Sequence, residues 1–121
     1  MAIVNLTPHD VVVFLPDGSK KVYSRSGTVA RVRTRAEPMG EVDGVPTVQI
    51  EYGEIEGLPD QPDGNYYIVS ILVLQAAERL EHPLLPWLLA PDTGPESAVR
   101  DEQGRIVGVK RFVVAGWRDL E

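Results

Sequence analysis

Asn65-Tyr66-Tyr67-Ile68-Val69-Ser70-Ile71-Leu72-Val73-Leu74-Gln75-Ala76-Ala77-Glu78-Arg79-Leu80 is the stretch on which the fold turns. After Asn65 come four aromatic and β-branched residues, Tyr66 to Val69, the mark of a buried strand. Ser70 then offers a side-chain oxygen to amides that a helix start leaves unpaired. Ile71 to Leu80 follows as the one convincing helix, with Gln75, Glu78 and Arg79 as its polar residues. Its first four positions are all apolar, so its start is expected to be deeply buried. His82-Pro83 ends it, since the residue before proline is pushed out of the helical region. His82 itself reads as a C-terminal cap favoured by the helix dipole.

Working outward, the remaining segments are short and punctuated. Ile3 to Leu6 and Val11 to Leu15 read as strands, separated by Thr7-Pro8-His9-Asp10. Pro16-Asp17-Gly18 is a turn that folds Lys20 to Ser24 back as a hairpin. Thr28 to Arg35 alternates, with Ala30, Val32 and Thr34 on one face and Arg31, Arg33 and Arg35 on the other. Asp43-Gly44 is a strong hairpin signal, and Thr47 to Tyr52 is the strand that follows. Leu84 to Ala90 is apolar but interrupted by Pro86. Asp101-Glu102-Gln103-Gly104 turns a last hairpin between Ala98–Arg100 and Arg105–Val114. With no repeat and no linker, residues 1–121 read as one domain. The expected class is α+β: mostly antiparallel sheet, or a partly open barrel of short strands, with one main helix at about 71–80.

Composition narrows the function. The chain has no cysteine, which removes disulfides, thiolate metal sites and cysteine nucleophiles. No basic leader precedes an apolar stretch, and no apolar run approaches the roughly 18 residues of a membrane span. A cytoplasmic chain with no membrane association is expected. A net charge of −6 argues against nucleic acid as the main partner. The charges are segregated: Lys20, Lys21, Arg25, Arg31, Arg33 and Arg35 fall in a stretch without acids, and residues 37–63 carry only acids. Either the two segments pair as strands and neutralise one another, or the basic one presents a surface to an anion.

Chemical motifs are sparse. Asp92-Thr93-Gly94 matches the aspartic-protease triplet, but Pro95 follows where that family has a small residue, and shared-proton chemistry needs a second aspartate. A tight turn with Asp92 accepting from the backbone explains it better. His9 and His82 lack the spacing of a metal site, and no metal or cofactor is expected. No nucleophile elbow or phosphate loop is present. Ser70, at the end of a strand and the start of a helix, has the geometry that attracts anions. Tyr66 and Tyr67 alternate, so one faces the core and one is available for stacking; Trp87 and Trp117 add aromatic surface.

Several pieces together resemble a family of small, uncharacterised bacteriophage and prophage proteins: Asn5-Leu6-Thr7-Pro8-His9, Ser26-Gly27-Thr28-Val29-Ala30-Arg31-Val32, Gly40-Glu41-Val42-Asp43-Gly44-Val45-Pro46, Tyr67-Ile68-Val69-Ser70, and Arg100-Asp101-Glu102 with Gly104-Arg105. The resemblance spans most of the chain and implies a viral origin and an accessory role in the host cytosol. It brings no catalytic residue. The leading expectation is a non-enzymatic protein that binds or sequesters a small anionic ligand, such as a nucleotide signal of host defence. Its candidate residues are Arg25, Arg31, Arg33, Ser70, Tyr66, Tyr67, His9, Asp92 and Thr93. The alternatives are a protein-binding inhibitor of a host factor and a small hydrolase using His9 and Asp92. A homo-oligomer is expected, because short strands leave edges that must be paired or covered.

Overall fold

The computed structural model describes residues 2–115; Trp117 lies outside them. In chain order the described strands are β1 (Ile3–Asn5), β2 (Val11–Phe14), β3 (Lys20–Tyr23), β4 (Arg31–Val42), β5 (Val45–Glu56), β6 (Tyr66–Ile68), β7 (Leu88–Pro91), β8 (Val99–Arg100), β9 (Ile106–Gly108) and β10 (Phe112–Val113). The helix α1 (Ile71–Leu80) connects β6 to β7.

The central sheet has the order β1-β6-β7-β10. β1, β6 and β7 run parallel, and β10 closes the edge antiparallel to β7. Parallel neighbours need a crossover, and α1 supplies it. Alternation then sorts the side chains. Tyr67, Val69 and Leu88 face the helix side, where they pack with Val73, Leu74, Ala77 and Leu84. Ile68 and Leu89 face the other way, onto Val11, Val13 and Val109 from the β2–β3 and β8–β9 hairpins. The sheet is thus a middle layer with a core on each face. The three hairpins among the described residues are antiparallel, the α+β class holds, and no sheet of these residues closes into a barrel. Among the described residues no helix is long and apolar enough to cross a membrane.

Two expectations are corrected. The start of α1 is not deeply buried: Val73 and Leu74 are, but Ile71 is 44% exposed and Leu72 40%. The first turn overhangs the end of the sheet, so only the side chains pointing back over it find partners. Nor does the arginine strand stop at residue 35. Asp43 and Gly44 both adopt positive φ, the geometry that lets a two-residue turn join right-twisted strands. β4 and β5 therefore zip together over 12 residues each. At about 3.3 Å per residue this ribbon is roughly 40 Å long. Its base packs on α1 through Val32 and Ile55, and the rest projects as an arm. At that base Gly57 has φ +91°, and a Cβ there would lie 2.6 Å from the Val29 carbonyl oxygen. Only glycine fits.

Candidate functional site

Because β1, β6 and β7 are parallel, their carboxyl ends emerge along one edge of the sheet. The Thr7–Asp10 loop follows β1, Ser70 and α1 follow β6, and Thr93 follows β7. Crevices at the carboxyl ends of parallel strands are where α/β sheets place ligands. Here the crevice has two lobes sharing Thr7, Pro8 and Ser70. The larger, about 400 Å³, adds His9, Ile71, Thr93, Ile106 and Val107. The smaller, about 350 Å³, adds Leu6, Ala30, Arg31 and Leu72.

Asn5 sets the loop between the lobes. It is 2% exposed, so its amide must be satisfied from within. Nδ2 donates to the His9 carbonyl and to the Tyr23 carbonyl, each at 2.8 Å. Oδ1 accepts from the Thr7 amide at 2.9 Å and the Thr7 hydroxyl at 2.7 Å. One side chain thus ties the end of β1 to its own loop and to β3.

Ser70 caps α1 as its position implies, its Oγ accepting from the Val73 amide at 3.2 Å. The Leu74 amide bonds the Ser70 carbonyl at 3.0 Å. The Ile71 and Leu72 amides have no acceptor among the described residues. They sit at the positive end of the helix dipole, beside the shared wall of the two lobes.

The arginine ladder divides. Arg33 pairs with Glu56 at 3.2 Å, and Arg35 with Glu51 at 2.5 Å and Glu37 at 3.5 Å. The Arg33 guanidinium is held further protonated by the hydrogen bond and charge of Glu56. These are the acids of the 37–63 segment, and the pairs lie on the arm. Arg31 makes no ion pair among the described residues, and it is the member that lines the smaller lobe. Arg25 lies elsewhere: its backbone amide donates to Asp10 Oδ1 at 2.9 Å.

The remaining candidates separate as clearly. His9 and Thr93 line the larger lobe. Asp92 is committed elsewhere: Oδ2 accepts from Arg111 Nε at 2.6 Å, and Oδ1 from the Gly94 amide at 3.0 Å. These bonds, that of Arg111 foremost, hold its carboxyl below the usual range. No hydrogen bond joins His9 to Asp92 among the described residues. Tyr67 is buried with its hydroxyl donating to Asp63, which is no position for base stacking. Tyr66 is half-buried on β6 and lines neither lobe. His82 is not a charged cap: burial lowers its pKa, and Nδ1 accepts from the Leu84 amide at 3.1 Å. Among the described residues no cluster of His, Asp and Glu has the geometry to hold a metal ion.

Sequence reasoning missed Asn5, Ser97 and Gly108. Ser97 is fully buried, and its Oγ accepts from the Lys110 and Arg111 amides at 2.9 and 3.2 Å, which places Arg111 against Asp92. Gly108 floors the larger lobe; a Cβ there would stand 2.4 Å from the Phe14 ring. A polar residue ending an apolar strand was the available signal for Asn5. Nothing local signalled the other two. The chain matches no family model, no curated protein and no solved structure.

Proposed function

We propose that this chain is a non-enzymatic binding protein, of the accessory kind that its resemblance to phage proteins implies, and that it holds a small amphipathic anion in the two-lobed cleft. The observation that carries this reading is the convergence of three unsatisfied elements. Arg31 is the ladder arginine without an ion pair among the described residues, and it lines the cleft. The Ile71 and Leu72 amides, at the same wall, lack acceptors among the described residues. Ile71, Ile106 and Val107 leave more than 40% of their surface exposed, all in the larger lobe. The first two elements suit a phosphate or carboxylate. The third suits an apolar body, such as the ring of a nucleotide.

Among the described residues no catalytic pair is assembled beside this cleft. Ser70 is spent on its cap, Asp92 on Arg111, and His9 has no side-chain hydrogen bond among the described residues. A nucleophile or general base needs a neighbour within hydrogen-bond reach. Isothermal titration calorimetry with adenosine monophosphate tests the reading. Arg31→Ala should weaken binding by roughly tenfold or more, as loss of a charge-assisted hydrogen bond does. Arg33→Ala should leave it unchanged. Equal effects of the two substitutions, or turnover of the nucleotide by the wild type, would refute it.

A further inference from the structure

The arm has two unlike faces. Register and alternation put Arg33, Arg35 and Glu51 on one. The other carries four rows: Thr34 with Tyr52, Ala36 with Ile50, Pro38 with Val48, and Glu41 with Pro46. This second face is continuous with the core, since the preceding pair, Val32 with Ile55, packs against the buried cluster that includes α1. Beyond the Tyr52 row nothing among the described residues covers it: Ile50 is 44% and Val48 54% exposed. A two-stranded ribbon with an open apolar face is marginal in water and calls for a cover.

Charge defines what covers it. At the base the Arg79 guanidinium lies over the Tyr52 ring, 4.5 Å from its centre. At the tip, on the same face, stands Glu41. The two apolar rows lie between a cation and an anion. A two-fold axis midway between the Ala36–Ile50 and Pro38–Val48 rows exchanges those rows. It also brings Glu41 of each copy to Arg79 of the other. Such a patch is complementary to itself. The free edges are poorer docking sites, because Pro38 on one strand and Pro46 on the other remove backbone donors.

We infer that the arm is a dimerisation element: two copies of this chain pack these faces together antiparallel, with Glu41 of each paired to Arg79 of its partner. The inference is independent of the cleft.

Charge exchange tests it by sedimentation equilibrium, with circular dichroism confirming the fold of each variant. Wild type should show a dimer of twice the 13.3 kDa chain mass. E41R alone and R79E alone should each weaken dimerisation at least tenfold, since each sets like charges opposite one another twice. An equimolar mixture of the two variants should restore the dimer, because both cross-pairs are then of opposite sign. V48D should be monomeric. A wild type that remains monomeric at every concentration, a V48D dimer, or a mixture that fails to reassociate would overturn the proposal.

Discussion

Asn5 Nδ2 donates to the His9 carbonyl at 2.8 Å, from a site where Asn5 is almost wholly buried. This bond and its three companions hold the Thr7–Asp10 loop against β3 and so give both cleft lobes a common wall. Asn5→Ala should remove all four, leaving the Tyr23 carbonyl without this donor and the His9 carbonyl with the Thr7 hydroxyl at 2.8 Å in its place. The expected loss is about 2–3 kcal/mol by urea denaturation. Asn5→Asp should be at least as damaging, since a carboxylate cannot donate to the His9 and Tyr23 carbonyls. A variant as stable as wild type would show that the loop is held by something else.

Gly108 and Arg33 make a contrasting pair. Gly108→Ala drives a methyl group into the Phe14 ring and the Val12 carbonyl, 2.4 and 2.9 Å away. Overpacking of this kind costs about 1–3 kcal/mol, and thermal melting should show it. Arg33→Ala removes an ion pair whose partners are 72% and 53% exposed, so the melting temperature should not move measurably. The reverse ranking would mean that the arm, not the layered body, limits stability.

Much of this architecture was legible in the residues. Ser70 followed by a helical pattern gave the cap and α1, and Asp43-Gly44 gave the arm's turn. Segregated charge left internal pairing and an anion-facing ladder both open; Arg33, a ligand candidate by sequence, and Arg35 pair internally with Glu56 and Glu51. The alternation of Tyr66-Tyr67-Ile68 gave a two-faced strand. The length of the arm was not legible, because beyond Arg35 β4 carries Pro38, Gly40 and the charges Glu37 and Glu41, and lacks the composition of a strand. Its pairing comes from the turn and from β5 rather than from propensity. The exposure of Ile71 and Leu72 was hidden for a related reason: periodicity shows which residues share a helix face, not where the covering sheet ends. The cleft is the least local feature. Thr7, Ser70 and Thr93 meet only because three strands distant in sequence run parallel.

His82 should make stability depend on pH. Burial lowers its folded pKa below the ordinary 6.5, and its Nδ1 accepts the Leu84 amide only when unprotonated. Well above pH 6.5 both folded and unfolded chains hold it neutral, and folding bears no cost. As pH falls below 6.5 the unfolded chain takes up a proton that the folded one resists, so stability declines until the folded pKa is passed. The urea midpoint should fall between pH 7.5 and 5.5. His82→Asn, which keeps an acceptor and cannot titrate, should flatten that change.

Asp92 and Arg111 can be separated by NMR titration of the Asp92 carboxyl carbon. In wild type it should titrate below 3.8, and in Arg111→Ala it should move up toward that value. The sign for stability is that of a depressed acid. Its contribution is complete above the ordinary carboxylate pKa and is lost as pH falls through the folded one. An Asp92 that titrates at its ordinary value in wild type would mean that the pair does not form in solution.

Amide chemical-shift mapping with adenosine monophosphate tests the cleft most directly. A fully labelled wild-type chain, titrated with the nucleotide at low and then high salt, should show saturable shifts at Thr7, Ile71, Leu72, Thr93 and Val107. They should weaken as salt rises. In Arg31→Ala the same peaks should move at higher ligand concentration, with the arm amides of Arg33, Arg35 and Glu51 unmoved throughout. Shifts confined to those arm residues, or no saturable shift at the cleft, would contradict a binding site at the carboxyl ends of β1, β6 and β7.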